Sequence, residues 1–219
     1  MTALSMAPAL AGPIVLYTVV TSITPGPNNL MLLSSGVRFG VRRSVPHVMG
    51  ISIGAAVMVA LTGLGLAQLF VRWPVLHGVL QGLGMAYLLW LAWQLTRMPA
   101  PREAEGRAGE GHEGESSSPQ GVRAQPLGFW GAAAFQWVNP KLWVMALGLY
   151  TTYVPAGSGV PMVLGAAALF GVINLPCVSV WAGMGQALRR SLRQPRVLKA
   201  FNWSMAVLLL ASMAPAWMH

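Results

Sequence analysis

Two short polar stretches interrupt long apolar segments of the chain, and each places proline beside asparagine. The first consists of Thr24, Pro25, Gly26, Pro27, Asn28 and Asn29, and the second consists of Asn139, Pro140 and Lys141. Proline lacks an N–H group, so a carbonyl four residues earlier loses its helical partner. Backbone groups freed within a membrane are tolerated only beside protein or a watery cavity. The two stretches therefore predict a polar site inside an apolar molecule.

The first stretch has the features of a helix that stops and restarts. Its two prolines release the carbonyls of Thr21 and Ile23, Gly26 adds backbone freedom, and Asn28 is expected to cap a helix restarting at Leu30. One half-helix then ends in partly negative carbonyls, and the other begins with partly positive N–H groups. These two ends match the ammonium and the carboxylate of an amino-acid zwitterion.

The second stretch repeats the interruption and adds a charge. Pro140 frees the carbonyl of Gln136, and Asn139 is pushed away from helical geometry. Lys141 is the only charged residue within any apolar segment, where a charge costs roughly 2.5–3.5 kcal/mol. Two interpretations remain open. Lys141 anchors a substrate carboxylate or carries a proton, or it snorkels or donates to the carbonyls freed beside Pro140.

Other residues either repeat the asparagine and proline of the breaks or flank a break in the sequence. Asn174 precedes Pro176 in another apolar segment and is expected to face the protein interior, where it contacts either a substrate or a neighbouring helix. Trp137 and Trp143 flank the second break. They either belong to an aromatic belt or line and gate a cavity.

The composition indicates that these residues are held in place by helices that cross a bilayer. Hydrophobic residues make up 55% of the 219 residues and charged residues 9%, against about 25% charged residues in a soluble domain. Crossing a bilayer takes about 20 apolar residues as a helix. Six segments qualify, near Pro8–Val37, Val45–Phe70, Pro74–Thr96, Leu127–Thr151, Pro161–Leu188 and Ala200–Ala216. The sequence therefore predicts an all-α integral membrane protein with six transmembrane helices, of which spans 1 and 4 are broken at proline.

The breaks divide a single membrane domain, residues 1–219, into two halves. Half 1 covers residues 1–96 and half 2 covers residues 127–219, and each opens with a broken span. Three spans per half make the halves inverted, and paired broken helices in inverted repeats are typical of a transporter site. Residues 97–126 are rich in Gly, Pro, Ser and charge, which predicts a disordered cytoplasmic linker.

The basic residues orient the spans. They lie after spans 1, 3 and 5, whereas the opposite side receives only Arg72. Basic loops stay in the cytoplasm, so both termini are predicted to lie outside. A re-entrant first segment, with five true spans and the N-terminus inside, is the alternative.

Several other functions lack the residues they need. All five acids lie within residues 103–115, so no carboxylate dyad can form in a span, and no metal cluster or cofactor fingerprint is present. The bases form no continuous stripe for nucleic acid. A hydrolase using Ser34 or Ser35 with His47 would lack an orienting acid. Cys177 is interpreted as an apolar filler.

The glycines of spans 2 and 3 are arranged for close helix contact. Gly50 and Gly54 form one GxxxG pair, and Gly78 and Gly82 form another. Pairs of this kind let two helix backbones approach each other, so each pair predicts a packed helix neighbour.

The run from Thr24 to Ser35, with Gly36, Gly40, Gly50 and Gly54 after it, resembles the signature of the LysE/RhtB family of amino-acid exporters. Val138 to Lys141 sits where that family carries Asn-Pro-Lys. The resemblance implies efflux of amino acids or close derivatives across the bacterial cytoplasmic membrane, driven by the proton gradient. The Pro-Gly-Pro-Asn-Asn run is most similar to the cysteine and O-acetylserine branch, with threonine or homoserine export as the next candidate.

One position departs from the family pattern. Some members carry an acid where this chain has Asn174, so a cationic substrate finds no counter-charge and a neutral zwitterion is favoured. Lys141, a histidine or the substrate itself remain as proton carriers.

The resulting hypothesis is a secondary transporter in the inner membrane that exports small neutral amino acids. Its expected substrate-binding residues are Thr24, Pro25, Gly26, Pro27, Asn28, Asn29, Asn139, Pro140, Lys141 and Asn174. The expected partners are the amino acid and the lipid bilayer, and a homodimer is left open. No cofactor, metal or nucleic acid is expected. A membrane scaffold protein and an intramembrane Ser/His enzyme are the alternatives.

Overall fold

The computed structural model describes residues 8–66, 72–97, 126–155, 157–189, 191 and 194–211, and every regular element within them is helical. The α-helices are α1 (Pro8–Ile23), α2 (Pro27–Phe39), α3 (Val41–Leu61), α4 (Pro74–Thr96), α5 (Phe129–Phe135), α6 (Pro140–Tyr153), α7 (Val160–Leu188) and α8 (Pro195–Ala211). A π-helical turn (Thr62–Leu66) follows α3, and a 3-10 turn (Gln136–Val138) follows α5. The all-α prediction is confirmed for this part of the chain.

The first and fourth predicted spans are both interrupted where proline was expected to break them. The first is divided into α1 and α2, and the fourth into α5, the 3-10 turn and α6. Pro27 and Pro140 each occupy the first turn of the restarting helix, where a missing N–H group costs nothing.

The other four predicted spans correspond to α3, α4, α7 and α8, with some differences in where they begin. α4 has the predicted bounds, whereas α3 begins earlier than expected, at Val41. The reason is the tight turn at Gly40, whose φ of +79° favours glycine and which ends α2 and starts α3 without a loop. The basic residues Arg42 and Arg43 therefore lie in the first turn of a helix.

α7 lies at the centre of the bundle and packs against α1, α2 and α3. Its crossing with α2 is a contact between backbones. A Cβ atom at Gly36 would meet the carbonyl of Ala182, and one at Gly185 would meet the carbonyl of Leu33. Side chains larger than hydrogen cannot be placed between the two helices at this crossing.

The two GxxxG pairs have different outcomes. A Cβ atom at Gly54 would lie 2.8 Å from Cα of Ala133, and one at Gly50 would meet the carbonyl of Phe129, so this pair packs closely on α5 as predicted. Nothing in the described part of the chain lies within 4 Å of a Cβ atom built at Gly78 or Gly82. Among the described residues, the second pair therefore has no packed helix neighbour.

The outer surface of the bundle is apolar, as a lipid environment would require. Large hydrophobic side chains such as Leu16, Val75, Trp130 and Val172 are mostly exposed. Among the described residues, two helical stretches are long and apolar enough to cross a membrane, Val41–Leu66 and Val160–Leu188, and Ala11–Ile23 is a shorter apolar stretch.

Two sequence predictions fall partly or wholly outside the described residues. Nearly all of the expected linker, residues 98–125, lies outside them, as does the end of the sixth predicted span. Cys177 lies within α7, where it is buried and forms no disulfide, in agreement with its interpretation as a filler.

Candidate functional site

The break between α1 and α2 is held by side chains that occupy its carbonyls. Thr24 Oγ1 donates to the carbonyl of Thr21 at 2.8 Å, and Trp181 Nε1 donates to the carbonyl of Ile23 at 3.2 Å. Asn29 Nδ2 donates to the carbonyls of Ser22 and Thr24 at 2.8 and 2.7 Å. The carbonyls that the prolines release are thus partly occupied within the protein.

The break between α5 and α6 is formed by Asn139, whose φ of −84° and ψ of 104° are extended, as the following proline predicts. Its side-chain oxygen accepts a hydrogen bond from the backbone N–H of Lys141 at 3.1 Å and so caps α6. The freed carbonyl of Gln136 accepts from the backbone N–H of Asn139 at 3.3 Å. This break is closed largely by its own residues.

Lys141 connects the second break to the first. Its Nζ donates to the carbonyl of Thr24 at 2.7 Å, to Oγ1 of Thr24 at 3.0 Å and to the carbonyl of Pro25 at 3.4 Å. The expectation that it donates to carbonyls beside Pro140 is wrong, because the side chain leaves α6 and ends at the C-terminus of α1. A cation is favoured there by the partial negative charge of the helix end.

A pair of amides forms a second connection between the breaks. Asn28 Nδ2 donates to Oε1 of Gln136 at 2.8 Å, and Gln136 Nε2 donates to Oδ1 of Asn28 at 3.1 Å. The prediction that Asn28 caps a helix starting at Leu30 is wrong. α2 starts at Pro27 after Gly26, which forms no side-chain cap, and the Asn28 amide is used across the interface instead.

A small polar cavity of about 20 Å³ lies where the two breaks meet. Its lining consists of Thr21, Ser22, Gly26, Asn28, Asn29, Ala55, Asn139, Lys141, Leu142, Met145, Asn174 and Val178. By the same measure a water molecule needs about 10–15 Å³, so the cavity admits water but not an amino acid in this conformation. Binding of a larger solute requires the surrounding helices to move apart.

Six of the ten predicted site residues line this cavity, and they are Gly26, Asn28, Asn29, Asn139, Lys141 and Asn174. Thr24 and Pro25 join them through their contacts with Lys141. Pro27 and Pro140 do not line the cavity, and they contribute by starting α2 and α6. The structure therefore brings residues from α1, α2, α6 and α7 together around one space.

Two polar atoms of the lining lack a hydrogen-bond partner in the described part of the chain. They are Nδ2 of Asn174, a residue 4% exposed, and Oγ of Ser22, a residue 3% exposed. Buried polar atoms are rarely left unpaired, because each lost hydrogen bond costs about 1–3 kcal/mol. Because both residues line the cavity, these two atoms are candidates for hydrogen bonds to a polar solute.

The sequence interpretation did not include Thr21 and Ser22, which line the cavity, or Gln136, which pairs with Asn28. Ser22 and Gln136 are polar residues in apolar spans directly beside the breaks, and that position is a signal that could have identified them. For Trp137 and Trp143, lining a cavity was one of two interpretations, and an aromatic belt was the other. Neither lines the cavity, and Trp143 Nε1 donates to the carbonyl of Trp137 at 2.9 Å, so Trp143 packs in the core.

The hydrogen bonds also bear on the proposed Ser/His pair. Oγ of Ser35 lies 2.7 Å from Oγ of Ser44, and Ser44 Oγ donates to the carbonyl of Gly40. The Ser35 hydroxyl is therefore used in the turn between α2 and α3, and this geometry does not favour a nucleophile.

Comparison with known proteins extends the similarity over most of the chain. A family model described as LysE type translocator matches residues 19–213. The cysteine/O-acetylserine efflux protein of Salmonella typhi is 30% identical over 190 residues, covering 86% of this chain and 88% of the relative. The protein of the same name from Escherichia coli strain K12 is 30% identical over 191 residues, covering 86% and 89%. No solved structure matches this chain. The residues matched by the family model include both breaks.

Proposed function

Because the chain belongs to the LysE type translocator family, and is therefore a membrane transporter and not an enzyme, we propose that it exports small neutral amino acids from the cell. The relatives named as cysteine/O-acetylserine efflux proteins support cysteine and O-acetylserine as the first candidates. Threonine and homoserine are the next candidates. The proton gradient is proposed to drive the export.

The observation that carries this proposal is the position of Lys141. Its ammonium group lies beside a cavity where two helix breaks meet, and no Asp or Glu is present among the described residues to pair with it. A charge held within a membrane-spanning segment without a counter-charge is costly. A substrate carboxylate would supply that counter-charge, and the Thr24 and Pro25 carbonyls suit a substrate ammonium.

The same reasoning favours a neutral substrate over a cationic one. A lysine or arginine substrate would bring a second positive charge close to Lys141 in a site without a carboxylate. Like charges in a poorly hydrated site repel strongly. The cavity is lined otherwise by amides, hydroxyls and the apolar side chains of Ala55, Leu142, Met145 and Val178, which fit an uncharged side chain.

The proposed setting is the bacterial inner membrane, with six spans in two inverted halves and both termini outside. The supporting observations are the paired breaks and the apolar outer surface, which would contact lipid. Of the basic residues at described helix ends, Arg38, Arg42, Arg97 and Arg189 belong to the side proposed as cytoplasmic, and Arg72 belongs to the opposite side.

Uptake into inside-out membrane vesicles tests the function, because export from the cell becomes uptake in this orientation. We expect labelled cysteine, O-acetylserine or threonine to accumulate, lysine and arginine to stay outside, and an uncoupler to stop accumulation. Vesicles with an equal amount of Lys141→Ala protein are the control, and their rate should fall at least about tenfold. Accumulation of lysine would overturn the neutral class, and no accumulation of any amino acid would overturn export.

A further inference from the structure

Resting on the proposed function, we infer that Lys141 is a tethered substitute for the substrate's ammonium group. In the substrate-free protein its Nζ occupies the acceptors at the end of α1. A zwitterion displaces it by giving its own ammonium to those acceptors and its carboxylate to Lys141.

The hydrogen bonds of Lys141 are those of a bound ammonium ion. A lysine ammonium has three N–H donors, and three acceptors surround Nζ: the carbonyl of Thr24, the hydroxyl of Thr24 and the carbonyl of Pro25. The α-ammonium of an amino acid has the same charge and the same three donors. Both groups therefore require the same acceptors, and they cannot occupy them together.

The backbone provides space for the lysine in this position. A Cβ atom at Gly26 would lie 2.6 Å from Cδ and 3.0 Å from Nζ of Lys141, so only glycine lets the side chain pass this close. The remainder of the lysine is a flexible chain of methylene groups. Its ammonium can move by several ångströms without any change in the backbone of α6.

The lining of the cavity also contains hydrogen-bond donors for the substrate carboxylate. Asn174 and Ser22 line the cavity, Nδ2 of Asn174 and Oγ of Ser22 have no partner in the described part of the chain, and each can donate to a carboxylate. A carboxylate held there would attract Lys141 away from α1. The ion pair formed would replace the three hydrogen bonds that Lys141 gives up.

The exchange requires both charged groups of the amino acid. An amino-acid amide keeps the ammonium but has no carboxylate to draw Lys141 away. An N-acetyl amino acid keeps the carboxylate but has no ammonium to fill the acceptors that Lys141 would leave. A lysine that acted as a simple carboxylate anchor would still accept the N-acetyl compound, so the two roles differ in a measurable way.

The first test uses the wild-type protein in inside-out vesicles with the best-transported neutral amino acid, its amide and its N-acetyl derivative. We expect both derivatives to compete at least about tenfold more weakly than the parent amino acid. Competition by the N-acetyl compound equal to that of the parent would overturn the exchange while leaving neutral amino-acid export intact.

The second test uses Lys141→Met, which keeps an unbranched chain one atom shorter and removes the charge. With the acceptors at Thr24 and Pro25 permanently open, uptake of the amide should rise at least about tenfold above wild type, whereas uptake of the zwitterion should fall by a similar factor. Loss of zwitterion uptake without any gain for the amide would overturn the exchange. If the variant does not insert into the membrane, the wild-type competition decides the question.

Discussion

At the scale of single residues, the two breaks are joined by side chains rather than by backbone. Asn28 and Gln136 exchange two hydrogen bonds, and Gln136 also donates to the carbonyl of Ala132 at 2.8 Å. Gln136 is fully buried, so its amide depends on these partners. The pair fixes the distance between α2 and the 3-10 turn, and with it the width of the cavity.

Replacing Asn28 by Ala should leave the Gln136 amide short of partners. We expect a loss of about 1–3 kcal/mol in unfolding free energy and a lower rate of amino-acid uptake. The double variant Asn28→Ala/Gln136→Ala should lose less than the sum of the two single variants, because each single change already breaks the same pair. Thermal unfolding of the purified protein and vesicle uptake measure the two effects.

Thr151→Ala is a suitable control for this series, since the exposed Thr151 hydroxyl bonds only within its own helix, to the carbonyl of Leu147. It should change the unfolding free energy by less than about 0.5 kcal/mol. Additive losses from Asn28→Ala and Gln136→Ala would contradict the coupling of the two breaks.

The sequence was sufficient to identify Lys141 and Asn28 but not their partners. A single charge and an asparagine beside proline stand out in an apolar segment by composition alone. Which atoms they contact depends on how α1 and α6 cross, because a lysine side chain reaches several ångströms in many directions. The Asn28–Gln136 pair joins residues 108 positions apart, and no local pattern predicts such a pairing.

At the scale of helices, the crossing of α2 with α7 brings two backbones into direct contact. Gly36 and Gly185 bring backbone against backbone, directly beside Trp181, which donates to the first break. A bulky residue at this crossing would push α7 away from α2 and from the cavity. The position of Asn174 therefore depends on Gly185, which lies about three turns further along α7.

Gly185→Ala and Gly183→Ala form a matched pair on one helix. A Cβ atom at Gly185 would meet the Leu33 carbonyl, whereas nothing described lies within 4 Å of one at Gly183. We expect Gly185→Ala to cost about 1–3 kcal/mol through overpacking, which lowers the thermal midpoint by several degrees. Gly183→Ala should leave the midpoint unchanged or raise it slightly, because alanine favours a helix. Equal midpoints for the two variants would contradict the close crossing.

Helix positions were predicted well where proline and hydropathy decide them, and less well where packing decides. α4 has the predicted bounds, and both interruptions occur at the predicted prolines. The early start of α3 followed from the backbone at Gly40. Glycine spacing alone could not show that Gly50 and Gly54 pack on α5, whereas Gly78 and Gly82 have no neighbour among the described residues. Those differences depend on which helices become neighbours.

At the scale of the whole molecule, the distribution of basic residues determines the proposed orientation. Arg72 precedes α4 and Arg97 follows it, so the two lie at opposite ends of one helix. If α4 crosses the membrane, these ends are exposed on opposite sides.

The variants Arg72→Cys and Arg97→Cys, each made with Cys177→Ser, test this topology. A membrane-impermeant thiol reagent applied to intact cells should label residue 72 and not residue 97, and inside-out vesicles should show the reverse. Because Cys177 is buried, the parent with cysteine at position 177 serves as the low-background control. Labelling of both positions from one side would contradict the crossing by α4.

The isolation of Lys141 from any acid also affects how the protein responds to voltage. On the proposed topology its ammonium is the only fixed charge in the membrane interior, and a zwitterion adds no net charge when it binds. Moving one elementary charge through the full potential involves about 2.3 kcal/mol per 100 mV, and this work is the same for the loaded and the empty carrier. Without a coupled proton, the membrane voltage then cannot favour export over return, so directionality requires either a gradient of the cargo or coupling to protons, whose movement the voltage drives.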